Sequence, residues 1–296
     1  MAEELDLLGI IESRMSEFSK GQKRISAFLI EHYDQAVYLT AAKLGEITGV
    51  SESTVVRFAN ELGFDGYPKL QRALEEVVKN RLTASQRMRV STERISKKDK
   101  HLLQAILQSD SERIFSTMDE IDEAAFDDAV EKMLSAKKIY IVGGRSSAPL
   151  SSFLAFYLNL MLDNVVNVSG INLTEIFEGI FRIDEGDVFI GISFPRYSSR
   201  TIKAMQYASK NGAKTIALTD SKNSPLAQYA DCLLTSRSDM LSFIDSLVAP
   251  LSVINALLVA VSLRKKDDLE KSLDKLERLW NEYQVYSPSG NNAKRI

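Results

Sequence analysis

Apolar residues recur at helical spacing over Leu39–Leu62 and again from Leu102 to Leu134; after Lys138 they contract into short runs separated by turn residues. The first stretch, TAAKLGEITGVSESTVVRFANEL from Thr40 to Leu62, predicts two short helices hinged at Gly49. Thr40 is placed to cap the first helix, with Leu39 and Leu44 as a hydrophobic staple across that cap. Gly49 supplies the permissive backbone of a tight turn. Ser51 caps the second helix, whose Val55, Phe58, Ala59 and Leu62 share one face. Ser53, Thr54, Arg57 and Asn60 face the other way. Two helices so hinged place the second one in the major groove of DNA. Ser51, Ser53, Thr54, Arg57 and Asn60 are therefore the candidate contacts to phosphates and base edges.

Residues 83–98, TASQRMRVSTERISKK, lack amphipathic periodicity and mark a linker. Helical spacing resumes with Leu102, Leu103, Ile106 and Leu107 on one side and continues through Phe115, Met118, Ile121, Phe126, Val130 and Leu134. These bridging helices are also candidates for a contact between subunits.

From Lys138 strands and helices alternate. Strands are predicted at Ile139–Val142, Val165–Val168, Asp187–Ile192, Thr215–Thr219 and Asp231–Thr235, with helices at Leu173–Phe181 and Thr201–Lys210. Such alternation implies a parallel sheet with right-handed crossovers, here a doubly wound, flavodoxin-like sandwich. The expected fold class is thus α + α/β, an all-helical N-terminal domain followed by a doubly wound parallel sheet. Ligands of such sheets bind beyond the carboxyl ends of the strands, near the reversal of strand order. Two hydroxyl-rich loops fall there, Gly143-Gly-Arg-Ser-Ser147 and Ser193-Phe-Pro-Arg-Tyr-Ser-Ser199, each leading into a helix N-terminus. Free N–H groups and the helix dipole favour an anion, with phosphate the natural guest. Arg145 and Arg196 would add charge-assisted contacts.

Charge complicates the nucleic-acid reading. The whole chain carries 37 Lys and Arg against 40 Asp and Glu. Residues 1–80 hold 9 basic and 13 acidic side chains, a balance of −4 that opposes binding to a polyanion. Many of the acids (Glu3, Glu4, Asp6, Glu12, Glu17) lie in the first helix. Residues 81–100 reverse the balance, with 7 basic against 2 acidic. Arg81, Arg87, Arg89 and Arg94 are either backbone contacts or a solvated linker. The one cysteine, Cys232, cannot form an intramolecular disulfide, and the acidic N-terminus lacks the pattern of a signal peptide, so a cytoplasmic location is expected. The apolar run Leu247–Leu263 is interrupted by Pro250, Ser252 and Asn255 and falls short of a membrane span; it reads as a core or subunit-interface helix.

The tract Ser51–Leu74, with VSESTVVRFA followed by LGFDGYPKL, closely resembles the N-terminal domain of the RpiR/MurR family of bacterial transcriptional regulators. The tract GDVFIGISFPRYSSRTIKAMQYASKNGAKTIALTDSKNSPLAQYADCLL resembles the SIS (sugar isomerase) domain, a phosphosugar-binding module. The second resemblance implies that Ser146, Ser147, Ser193 and Ser198 surround a sugar phosphate, with Thr219 and Ser224 marking later family positions. Pro195 and Arg196 stand where many members have Ser-Gly, and Ser198 where Thr is commoner. The order of domains implies a DNA-binding transcription factor, a homodimer or tetramer, whose operator binding is modulated by a sugar phosphate. No metal, cofactor, catalytic residue or membrane partner is expected. The expected limits are 1–81 for the DNA-binding domain, 82–128 for the linker and bridging helices, 129–268 for the SIS domain and 269–296 for a terminal helix and tail. The alternatives are a sugar-phosphate isomerase using Glu175 or Glu178 as base, since His32 and His101 lie outside the α/β part, and an adaptor that contacts protein rather than DNA.

Overall fold

The computed structural model describes residues 7–81, 83, 85–88, 101–170, 172–239 and 244–286. The chain divides into two compact units, Met1–Arg113 with Ser238–Leu247, and Ile114–Arg237 with Val248–Ile296.

In the first unit, α1 (Leu7–Ser13), α2 (Lys20–Glu31), α3 (Tyr33–Ala36), α4 (Ala41–Thr48), α5 (Glu52–Glu61) and α6 (Tyr67–Arg81) enclose an apolar core that includes Ile11, Ile25, Leu29, Leu44, Phe58 and Leu70. Phe18 meets Phe58 edge-on, ring centroids 5.2 Å apart. Both expected caps are present: Thr40 Oγ1 accepts from the Lys43 N–H at 3.2 Å, and Ser51 Oγ from the Thr54 N–H at 3.3 Å. Leu44 is buried and Leu39 packs against the same core. Gly49 has φ +65°, the left-handed conformation that ends α4. Gly45 is as demanding, since a Cβ there would fall 2.8 Å from the Val50 carbonyl oxygen. The GFDGYP loop after α5 is held by side chains at both ends. Asn60 Oδ1 accepts from the Gly66 N–H at 2.9 Å, and the Tyr67 hydroxyl donates to the Leu39 carbonyl at 2.9 Å. Burial pushes the Tyr67 phenol up to about 12, so it remains a donor.

The linker departs from expectation. Residues 85–88 form a helical turn, and Arg87 within it is 1% exposed, its Nη1 donating to Asp245 Oδ1 at 2.7 Å. Arg87 is thus neither a solvated linker residue nor a phosphate contact but half of a buried ion pair within the first unit. Asp245 belongs to Ser238–Leu247, whose Ser246 Oγ also donates to Asp110 Oδ1 at 2.6 Å. Arg89 and Arg94 lie outside the described residues, as does the side chain of Arg81.

Helix α7 (Leu102–Glu120) is inverted relative to its apolar pattern. Arg113 and Thr117 are its buried residues, whereas Leu103, Leu107, Phe115 and Met118 are exposed, Leu103 to 72%. Arg113 Nη1 donates to Ser109 Oγ at 2.9 Å, and Thr117 Oγ1 accepts from the Arg237 N–H at 2.9 Å. The apolar side of α7 is open.

The second unit contains α8 (Glu123–Ser135) and five parallel strands, β1 (Ile139–Gly143), β2 (Val165–Asn167), β3 (Val188–Ile192), β4 (Lys214–Thr219) and β5 (Cys232–Thr235), in the order β2-β1-β3-β4-β5. This is the flavodoxin-like order, as expected from the alternation. Between and after the strands come α9 (Ala148–Met161), α10 (Leu173–Ile180), α11 (Ser199–Lys210), α12 (Val248–Arg264) and α13 (Lys266–Glu282). Ile176, Ile180, Met205 and Ala208 of α10 and α11 pack with Tyr140, Val142, Phe189 and Ala217. Helix α12 buries Val253, Ile254, Leu257 and Val261 and contacts α9. No single helix among the described residues is long and apolar enough to cross a membrane. Cys232 is buried, its thiol donating to Asp128 Oδ2 at 2.8 Å, and burial pushes that thiol up to about 12.

Removing Asp245 takes the carboxylate away from a buried guanidinium. Asp245→Ala is expected to lower stability by about 3–5 kcal/mol in urea titration, whereas the double substitution Arg87→Met/Asp245→Ala recovers most of that loss. Equal losses in the single and double variants would show that the pair is not the interaction that matters there.

Candidate functional site

The outer face of α5 carries Ser53, Arg57 and Asn60, all exposed, while Val55, Phe58 and Ala59 are buried beneath it. Ser51 and Thr54 occupy the helix start, their hydroxyls 2.8 Å apart. The Arg57 guanidinium is held locally, Nε donating to the Ser53 carbonyl at 3.2 Å, and has no carboxylate partner among the described residues. Asn60 stands apart from the others, because its amide oxygen already ties the GFDGYP loop. The face therefore offers short hydroxyls near the N-terminus of α5 and one cation a turn further on, donors suited to phosphate and base edges.

In the second unit, the register that pairs Gly143 with Ile192 sets the two serine loops side by side at the carboxyl ends of β1 and β3. This is where strand order reverses, the crevice such sheets use for ligands. The contact between the loops is close. A Cβ at Gly144 would fall 2.7 Å from Ser198 Oγ and 3.4 Å from Thr201 Oγ1. Ser193 is buried, and its Oγ accepts from the Ser198 N–H at 3.0 Å, curling the second loop. Ser198 in turn caps α11 through the Thr201 N–H. The Tyr197 hydroxyl donates to Asp220 Oδ1 at 2.8 Å, fastening this loop to the one after β4.

The first loop is built differently. Ser147 stands at the N-cap of α9 without making a side-chain cap, which leaves that helix start without the hydroxyl acceptor that α11 receives. Ser146 is exposed and Ser147 buried. Arg145 and Arg196, one in each loop, are exposed and have φ of +56° and +63°, a conformation that costs a non-glycine residue about 1–2 kcal/mol. Strained backbone of this kind clusters at ligand sites.

Buried polar atoms mark the same edge of the sheet. Among the described residues of this unit, side-chain oxygens that are buried without a hydrogen-bond partner include Asn167 Oδ1, Thr201 Oγ1, Ser224 Oγ and Ser236 Oγ. Asn167 ends β2, Ser236 follows β5, and Thr201 and Ser224 lie on the connections that leave β3 and β4. Unsatisfied buried oxygens are uncommon in folded proteins, and grouping them at one end of a sheet leaves hydrogen-bonding capacity where a polar ligand would sit. Thr201 is the residue that sequence reasoning missed. Its only local signal is its place three residues after the Ser198 cap, which is equally the signature of an ordinary helix start. Glu175, weighed as a catalytic base, instead completes the capping box of α10 with Asn172, and Glu178 is exposed on the outer side of that helix.

Comparison with known proteins finds a match for each of the two parts of the chain. The model of the rpiR-family helix-turn-helix domain matches residues 5–81, and that of the SIS domain matches residues 132–260. The HTH-type transcriptional regulator HexR of Pseudomonas aeruginosa is 24% identical over 281 residues, covering 92% of this chain and 94% of its own. Among solved structures, the sugar isomerase domain of an RpiR transcription factor from Sphaerobacter thermophilus is 28% identical, with a TM-score of 0.55 over 61% of this chain and 99% of its own. The NanR protein of Vibrio vulnificus, complexed with ManNAc-6P, shares the fold over 94% of this chain and 99% of its own, with a TM-score of 0.58 and 20% identity.

The approach of the two loops can be tested by crowding it. Gly144→Ala is expected to destabilise by about 1–3 kcal/mol. Ser198→Ala, which removes the oxygen at 2.7 Å and keeps the Cβ at 3.1 Å, should restore part of that loss in the double variant. Strictly additive losses in thermal melts would mean that the loops do not touch in solution.

Proposed function

We propose that this chain, which belongs to the RpiR family of helix-turn-helix transcriptional regulators carrying a SIS domain, binds an operator through α5 and is controlled by a sugar phosphate held between the two serine loops. The observation that carries the effector half is the set of unsatisfied oxygens at the carboxyl edge of the sheet, beside two hydroxyl-rich loops and an α9 start that lacks a side-chain cap. The phosphate would take N–H groups at the Gly144–Ser146 turn together with the Ser146 and Ser147 hydroxyls, and Ser193, Ser198 and Thr201 would face the sugar. Arg145 and Arg196 would close over the anion from the rim. That a protein of this fold is known with ManNAc-6P supports the ligand class.

For the DNA half, Ser51, Ser53, Thr54 and Arg57 form the reading face, with Asn60 supporting the loop behind it. We favour a homo-oligomer, because α7 leaves Leu103, Leu107, Phe115 and Met118 open and α12 leaves Val259 and Leu263 open, more apolar surface than a lone chain usually exposes. Two copies would present two α5 helices to half-sites related by two-fold symmetry. The effector then biases the spacing of those helices, and its influence can be no larger than its difference in affinity for the two arrangements, typically about 1–3 kcal/mol. A regulator is favoured over an isomerase because Glu175 is engaged in capping and the curated relatives are transcriptional regulators. Action on DNA puts the protein in the cytoplasm, and no cofactor enters the scheme.

A sugar phosphate that binds only the folded state should raise the melting temperature with the logarithm of its concentration, equivalent to about 2.7 kcal/mol at a hundredfold excess over Kd, whereas its unphosphorylated parent should not. Ser193→Ala/Ser198→Ala should abolish that shift and leave DNA binding in place. An undiminished shift in the double variant would put the ligand elsewhere. On the DNA side, Arg57→Ala should cost about 1–3 kcal/mol of operator affinity by fluorescence anisotropy. Unchanged affinity would remove Arg57 from the readout.

A further inference from the structure

We propose that α2 is a second DNA-contacting element, with Lys20, Lys23 and Arg24 gripping the sugar-phosphate backbone beside the groove that α5 enters. This rests on the DNA-binding reading of α5 and deepens it. The starting point is the charge of the N-terminal part, in which 13 acids outnumber 9 bases over residues 1–80. A domain of that composition binds a polyanion only if its cations are gathered on the surface that meets it.

The structure gathers them. Helix α2 buries Ile25, Ser26 and Leu29, and turns Lys20, Lys23 and Arg24 outward, where all three are exposed. Its amino-terminal half lies against the helix-turn-helix. A Cβ added at Gly21 would meet Val50 Cγ1 at 3.3 Å and Thr54 Cγ2 at 3.5 Å, so the missing side chain is what lets α2 approach the start of α5. One turn on, Arg24 Nη1 lies 3.0 Å from the position a Gly49 Cβ would take, which sets the guanidinium directly over the turn between α4 and α5. The amino-terminal half of α2 is therefore a neighbour of Val50 and Thr54, and Arg24 of the Gly49 turn, though distant from them in sequence.

Several basic groups of the unit are neutralised by nearby acids. Lys43 is paired with Glu46 at 2.7 Å, Arg14 with Glu17 at 3.2 Å, and Arg87 with Asp245. Lys20, Lys23 and Arg24 form no ion pair among the described residues, and neither do Arg57, Lys69 and Arg72. Of these, Arg24 stands over the turn that leads into α5, and Lys20 and Lys23 share its helix, with Glu52 in the first turn of α5 as the nearby acid on that helix. Long side chains on an outward stripe suit phosphates, which are reached from a distance and read without regard to sequence.

The test uses the full-length protein and two labelled duplexes of equal length, an operator selected from a random pool by the wild type and a scrambled control. Affinities are measured by anisotropy between about 50 and 200 mM salt, the range over which phosphate binding is strongly screened. Lys20→Gln/Lys23→Gln/Arg24→Gln is expected to make log K against log salt shallower by about 0.9 for each phosphate no longer neutralised, up to about 3 per bound subunit. It should weaken both duplexes by the same factor, so that preference for the operator is kept. Lys266→Gln/Lys271→Gln on α13 serves as the control and should leave the slope unchanged. If the triple variant melts early, Lys20→Arg/Lys23→Arg/Arg24→Lys must show the wild-type slope for the proposal to stand. An unchanged slope in the triple variant, with the wild type binding normally, overturns the proposal and spares the α5 reading. So does selective loss of operator preference, which would make these residues base readers. A wild type that binds no duplex even at low salt removes the α5 reading and this proposal together.

Discussion

The first turn of an α-helix carries N–H groups that have no partner within the helix. Much of this molecule follows from how that deficit is met. Ser19, Thr40, Ser51 and Ser198 each place a hydroxyl oxygen on the N–H three residues ahead, and Asp122 and Asn172 do the same with a carboxylate and an amide. These caps fix where α4 and α5 begin, and so the angle at which the outer face of α5 is offered. In the second unit the same device curls the loop after β3. Helices α3, α9 and α13 lack such a cap, and at α9 the Ser147 hydroxyl is thereby left without that role. Both proposed ligands, a nucleic-acid backbone and a sugar phosphate, are anions that complete what the caps begin.

Electrostatics explains why net charge is a poor guide to this chain. A balance of −4 over residues 1–80 says nothing of where the charges stand. Acids engage locally, Glu17 with Arg14 and Glu46 with Lys43, and leave one side of the helical unit to unpaired cations. The basic linker, expected to compensate, contributes at least one arginine to the interior instead. Position, set by two glycines at close helix contacts, outweighs composition.

What could be read from the chain was what depends on neighbours in sequence. The turn at Gly49, the caps at Thr40 and Ser51 and the five strands all announce themselves within a few residues, because caps, left-handed turns and buried strand runs are local chemistry. The pairing of the serine loops was legible one step further on, since strand alternation implies the parallel order that brings them together. The remaining features depend on residues distant in sequence. Gly21 beside Thr54, Arg87 on Asp245 and Thr201 beneath Gly144 are contacts with no sequence signature. Helix α7 misled for a different reason: its apolar spacing is real, but Arg113 and Thr117 found hydrogen-bonding partners on the inner side, and the hydrophobic stripe was left outward.

Ser238–Leu247 arrives late in the chain yet belongs to the unit built by the first 113 residues. That small excursion changes what can be transplanted. A reading head cut out by sequence limits alone would leave behind Asp245 and Ser246, the residues that neutralise Arg87 and engage Asp110. Chimaeras that graft this unit elsewhere would lose the Asp245 side of the buried ion pair unless the Ser238–Leu247 strap travels with it. The two halves are thus less interchangeable than their separate family likenesses imply, and exchange between relatives should favour sensors that bring their own strap.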